Sequence, residues 1–384
     1  MLLGLVLHSA LTYNVTNHGD AWSLKDPETT HIFSDSLVFI IHSFRMPIFF
    51  LVAGFFGSML FYERRPIGMI KNRISRIVLP FVVFLLLLWP ITIIAFGYTG
   101  AVFSFEENPL KFAIEPLSDI WSFIPRTTSH LWFLYYLALI TGTTVIIGLL
   151  LQKGSGLTQM ITKIFNWLIQ RPIVRIVFFS ILIFLLLFFL KTSMIDASVS
   201  LKPDIRTFLY FFFFYIMGWV LFKSKHQLNT FVRYDWISIF IGLVLLTLHG
   251  YSIQNSGVAP NSNSIILILY SSVVVTLFTF GITGLFIRYG SKHSKIMRCL
   301  SDSSYWVYLV HLPLTAFFPS LIWQLSLPAV AKFLIVLFAT TLICFLSYHY
   351  LVRGTFIGEF LNGRRYPRKE NSDSLNLNKI QQGD

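Results

Sequence analysis

The sequence predicts an all-α fold, a polytopic bundle of about ten transmembrane helices, on three observations. Charged residues make up 12% of the 384-residue chain, where a soluble domain carries about 25%. Hydrophobic residues reach 55%, aromatic residues 17% and mean hydropathy +0.69. Apolar runs near the length that spans a bilayer, about 20 residues, recur along almost the entire chain. They fall at residues 1–13, 36–62, 77–97, 130–151, 176–191, 205–222, 236–252, 264–288, 305–323 and 329–352. Residues 1–360 form one membrane domain, and residues 361–384 lack apolar periodicity and read as a disordered cytoplasmic tail. No period of 20–50 residues points to a repeat array.

The first run is short. Thirteen residues rise about 20 Å against a hydrocarbon core of about 30 Å. It lacks the basic start and small-residue cleavage site of a signal peptide, so it is expected to be the outer part of a first helix truncated at Met1. The remaining runs are long enough to cross. Their orientation follows from Lys and Arg: segments 63–76, 152–175, 223–235 and 288–304 and the tail from 353 hold 22 of the 30, and the alternate segments hold 4. By the positive-inside rule both termini are cytoplasmic. The same distribution explains the net charge of +13. It sits in short loops and forms no continuous basic footprint, which excludes a nucleic-acid partner. Cys299 and Cys344 fall at or inside apolar segments on the inner side and support neither a disulfide framework nor a metal site.

Two outer loops, 14–35 and 98–129, carry eight acidic residues between them, among them Asp26, Asp35 and Asp119. They are expected either to be ordinary solvated connections or to line an entrance for a polar ligand. The Phe-rich run FLYFFFFYIMGW at 208–219 needs no ligand, since lipid-facing and helix-facing Phe explains it.

Within the second run, HSFRMPIFFLVAGFF places His42 and Arg45 inside the apolar stretch. An arginine at a helix centre costs about 2.5–3.5 kcal/mol on insertion scales, and such charges turn toward a partner or a polar cavity. From the assigned orientation His8 lies roughly 8 Å from the outer end of its helix, and His42 and Arg45 roughly 9 and 14 Å from theirs. His130 opens the fourth run and His311 lies in the ninth. Histidines in a membrane act as hydrogen-bonding packing residues or, gathered at one depth, as general bases suited to neutral pH. On the inner side ERRPIGMIKNRISRIVLP contributes Arg65, Lys71, Arg73 and Arg76. These are either the positive-inside signal alone or a phosphate clamp, in which Arg73 and Arg76, three apart on a helix, face the same way. No P-loop, dinucleotide fingerprint, HExxH zinc helix or GxSxG elbow accompanies them, so no metal site is expected.

These motifs, HSFRMPIFFLVAGFF with Ala53 where a Ser is usual, KNRISRIVLP, SHLWFLYY and YLVHLPLT, resemble in kind and order those of the acyltransferase 3 family of integral membrane acyltransferases. Within it the chain is most similar to the glucans biosynthesis protein C subgroup, succinyltransferases of periplasmic glucans. The resemblance implies an O-acyltransferase in the bacterial inner membrane. It would move an acetyl or succinyl group from a cytoplasmic acyl-CoA to a hydroxyl of a periplasmic or cell-surface glycan, with no permanently bound cofactor. His8 matches the family's essential histidine, and the arginine ten residues before it would fall ahead of Met1. The implied catalytic set is His8, His42, Arg45, His130 and His311, with Arg65, Lys71, Arg73 and Arg76 at the donor's phosphates. His8 would act as general base or carry the acyl group itself. Arg45 would serve a developing oxyanion or tether an outer-loop carboxylate. A transporter or flippase of lipid-linked sugars is the alternative, although no correspondence between two halves of the chain, which transporters often show, is present.

Overall fold

A computed structural model describes residues 2–151, 155–256, 264–291 and 294–363; the expected tail lies almost wholly outside the described residues. The fold is a helix bundle, with no strand among the described residues. Nine of the described helices are long and apolar enough to cross a membrane, and the short first helix accompanies them.

In chain order the helices are α1 (Leu2–Leu11), α2 (Ile32–Glu63), α3 (Pro66–Phe103) and α4 (Trp132–Leu151), followed by α5 (Ser155–Ile169), α6 (Pro172–Leu190) and α7 (Ile205–Lys223). The second half contributes α8 (Asp235–Ser256), α9 (Ile265–Gly290), α10 (Lys295–Phe317), α11 (Ala329–Val352) and the short α12 (Phe356–Asn362). All ten apolar runs map onto helices. Of the helices without a counterpart among them, the short α12 follows the last run and α5 occupies what the sequence presents as an inner loop. Its Leu157, Met160, Ile161, Ile164 and Trp167 are exposed at helical spacing, the pattern of a helix lying on the membrane surface. Fifteen residues of two-sided character leave no long apolar run to find.

Several starts have a local cause. The Asp204 carboxylate accepts from the Thr207 N–H at 2.8 Å and caps α7, and Ser294 caps α10 through the Met297 N–H. The most extensive helix pairing joins α2 and α7. Glycines permit it: a Cβ at Gly54 would collide with the Tyr215 carbonyl, and one at Gly218 with the Leu51 carbonyl. Without them the backbones touch directly, as small residues allow between membrane helices. The main core, including Phe50, Phe61, Phe211, Phe214 and Leu309, fills the space around this seam.

On the side assigned outward, the loop between α1 and α2 folds back over the bundle. The Asp35 carboxylate accepts from the Val15 and Thr16 N–H groups at 2.8 and 2.9 Å. Asp26 pairs with Lys332 of α11 at 3.2 Å, both side chains 0% exposed, and Lys332 also donates to the Trp323 carbonyl. Asp119 accepts from the Trp121 N–H. These three acidic side chains hold loops in place, as ordinary connections do.

Candidate active site

Four of the five expected catalytic residues meet. A small cavity is lined by His8 of α1, Arg45 of α2, His130 at the entrance to α4 and His311 of α10, together with Tyr308 and Gly4. Four separate helices supply its walls, which is why only the folded bundle forms it. The His8 and His311 rings lie 5.3 Å apart, and those of His130 and His311 5.4 Å.

Backbone carbonyls fix two of the imidazoles. A carbonyl only accepts, so His130 carries its proton on Nε2, which donates to the Leu309 carbonyl at 2.8 Å. His311 carries its proton on Nδ1, donating to the Tyr308 and Val307 carbonyls at 2.8 and 3.0 Å. His311 Nε2 is therefore left as a lone pair, buried and without a partner among the described residues. His8 Nδ1 is likewise buried and unpartnered. A neutral histidine with one nitrogen pinned and the other free is arranged to accept a proton.

Arg45 is 9% exposed and makes no ion pair among the described residues, where the pairs are Lys225–Glu63, Arg288–Asp235 and Lys332–Asp26. The alternative in which Arg45 tethers an outer-loop carboxylate is thus not realised, because Asp26, the loop carboxylate that reaches the bundle interior, is held by Lys332. Gly4 supplies the space in front of Arg45. A Cβ there would meet Arg45 Nη1 at 3.4 Å and His311 Nε2 at 3.7 Å, so the bare backbone leaves a gap between a cation and a base.

His42 goes elsewhere. It lines a neighbouring cleft with Ser193, Tyr210, Tyr270 and Ser271. Met46 and Trp132 border both spaces. A three-residue step turns a helix by about 300°, which leaves the His42 and Arg45 side chains about 60° apart and lets them enter different spaces.

The inner basic residues separate as well. Ile74–Val78 forms a π-turn, and the extra residue in such a turn rotates the facing of the downstream helix. Arg73 accordingly enters the α2–α7 seam, where Nη2 donates to the Ala53 carbonyl at 3.4 Å and the guanidinium meets the Tyr215 hydroxyl. Arg76 points to α12 and donates to the Glu359 and Phe360 carbonyls, both at 2.8 Å, capping that helix's C-terminus. Arg73 and Arg76 do not face one point, whereas Arg65 and Lys71 are exposed.

Sequence reasoning missed Tyr308, Gly4 and Trp22. Tyr308 opens the YLVHLPLT motif three residues before His311, on the same helical face, and its hydroxyl donates to the His130 carbonyl at 2.8 Å. Trp22 comes from the outer loop. Its ring lies 5.5 Å from that of His8 and it is 3% exposed, with Nε1 donating to Thr12 Oγ1. No sequence signal marks a loop tryptophan as a roof.

Comparison with known proteins identifies the family of the chain. The family model described as an acyltransferase domain (acyltransferase 3) matches residues 1–349. Glucans biosynthesis protein C from Escherichia coli strain K12 is 25% identical over 326 residues, covering 83% of this chain and 80% of that protein. The proteins of the same name from E. coli O157:H7 (strain EC4115 / EHEC) and O81 (strain ED1a) are similar to the same extent. No solved structure matches. With the family model covering nine-tenths of its length, the chain belongs to the acyltransferase 3 family and is a membrane O-acyltransferase.

Proposed function

We propose that this enzyme transfers an acetyl or succinyl group from acyl-CoA on the cytoplasmic side to a hydroxyl of a glycan on the outer side of the bacterial inner membrane. The observation that carries the reading is the histidine cavity, which holds unpartnered basic nitrogens beside a cation that has no counter-ion among the described residues. In the reaction the acceptor oxygen attacks the thioester carbonyl carbon and the carbon–sulfur bond breaks. The hydroxyl proton passes to His8, and the CoA sulfur leaves and is protonated. His311, pinned through Nδ1, receives or relays that proton at Nε2. Arg45 donates to the carbonyl oxygen as it gains charge, a contribution that grows in the transition state.

The donor's route is supported by α10. Tyr305, Tyr308 and His311 recur every three residues on one face, and the Tyr305 hydroxyl donates to the Arg76 carbonyl at 2.8 Å. This face leads from the inner basic segment to the cavity and suits the pantetheine arm. Exposed Arg65 and Lys71 are the cations free to meet its phosphates, with Arg76 at their edge. The glycan acceptor follows the name of the E. coli relatives.

The test uses purified protein in nanodiscs with labelled acetyl-CoA or succinyl-CoA and a β-linked glucose oligosaccharide. Label on the oligosaccharide, lost by about 10²–10⁴-fold in His8→Ala as expected for removal of a general base, supports the reading. No label from either donor refutes it, and a His8→Ala rate within tenfold of wild type moves the base to His311.

A further inference from the structure

We infer that the cleft lined by His42 is the acceptor's saccharide subsite, from which the reacting hydroxyl reaches the histidine cavity sideways, past Met46 and Trp132. The inference rests on the glycan-acceptor reading and adds where the glycan binds.

The outer loop obstructs the direct path from outside. Trp22 covers His8, its ring packed edge-on against Phe96 at 5.0 Å as well. The loop that carries it is strapped by the buried Asp26–Lys332 pair and by Asp35. The lateral path differs. On α2, His42 and Ser43 sit about one turn further out than Arg45 and Met46, and the cleft's outer wall is the connection between α6 and α7, through Ser193, Ile195 and Ala197. That connection is on the outward side by the Lys/Arg distribution.

The lining suits a sugar. Sugar rings present apolar faces and hydroxyl edges, and the cleft offers aromatic side chains together with an imidazole and serine and tyrosine hydroxyls; pockets of this kind fix a ligand with few polar groups on an apolar surround. The Tyr270 hydroxyl is buried and has no partner among the described residues. An unmade hydrogen bond there is unfavourable, and a ligand hydroxyl would complete it. The partition toward the catalytic cavity is Met46 and Trp132. Methionine, unbranched and flexible, is a side chain that can swing aside.

The experiment fills the cleft in the full chain. Ser271→Phe narrows it from within, and Ala197→Trp blocks it from an exposed loop position where the bundle is not disturbed. Tyr270→Phe removes only the hydroxyl. Binding of a β-linked glucose oligosaccharide is read by saturation-transfer NMR, and acceptor and donor KM by steady-state acyl transfer. The two filling variants are expected to raise the acceptor KM at least tenfold and to weaken saturation transfer, with donor KM and melting temperature at wild-type values. Tyr270→Phe is expected to raise the acceptor KM about three- to tenfold. Filled variants that bind and acylate the oligosaccharide as wild type does overturn the subsite alone. The same holds if they shift donor KM instead, or change only the response to bilayer lipid composition, which would mark the cleft as a lipid pocket. Wild-type protein that cleaves the thioester but binds no oligosaccharide overturns the glycan-acceptor reading together with the subsite.

Discussion

Arg45 and Lys332 are two cations buried in one bundle, and their replacement by methionine is expected to have opposite effects. Arg45 is 9% exposed and has no carboxylate partner among the described residues. Arg45→Met therefore strands no charge and relieves a desolvation cost of up to about 2.5–3.5 kcal/mol, so the melting temperature should hold or rise. If the guanidinium serves a developing oxyanion, kcat falls by about 10²–10³, or about 2.7–4 kcal/mol of transition-state stabilisation. Lys332→Met leaves the Asp26 carboxylate, 0% exposed, without its cation. Breaking one partner of a buried pair costs about 3–5 kcal/mol, and the melting temperature should drop, with lost activity tracking lost folded protein. Thermal unfolding followed by tryptophan fluorescence, beside acyl-transfer kinetics per folded molecule, separates the two. Arg45→Lys should recover part of the rate, a point charge without the guanidinium fork. An Arg45→Met protein destabilised as much as Lys332→Met, with kcat within tenfold of wild type, refutes the catalytic assignment.

Gly4→Val is expected to lower kcat at least tenfold at an unchanged melting temperature, since its methyls enter the gap between Arg45 Nη1 and His311 Nε2; a wild-type rate would show that gap to be idle. Combined Arg65→Ala and Lys71→Ala should raise donor KM more than it lowers kcat, the signature of uniform binding. Arg73→Ala, by contrast, should show itself in thermal unfolding, because its guanidinium is spent inside the α2–α7 seam; an unchanged donor KM in the double variant would leave those cations to topology alone. Gly218→Ala, whose Cβ meets the Leu51 carbonyl, should destabilise the fold by about 1–3 kcal/mol or more, read as a lowered melting temperature; full stability would mean that the seam opens freely.

Much of this molecule is legible in its sequence because lipid imposes a simple rule. Each crossing must satisfy its own backbone hydrogen bonds, so apolar length marks α2 to α11 with the exception of α5, whose stability comes from two unlike faces. The site is legible in part. Depth along helices of known direction brings His8 and Arg45 together, because rise per residue is fixed. Rotation about the axis is not fixed by depth, and there the reading diverges: His42 turns into the neighbouring cleft, and the π-turn at Ile74–Val78 sends Arg73 and Arg76 to separate partners. Trp22 and Gly4 matter for what they cover and leave open, which no single residue type announces.

The contact of bare backbones at Gly54 and Gly218 also bears on how the protein is made. Synthesis proceeds from the N-terminus at about 5–20 residues per second, so α7 emerges roughly 10–30 s after α2. During that interval α2 must remain in or near the membrane with Arg45 and an unmated glycine face. The groups that later surround Arg45 from α4 and α10 are also still to come. The segment that carries the cavity's cation is thus only provisionally lodged in the bilayer until α7 arrives, and a ribosome that stalls before α7 leaves that glycine face without its partner.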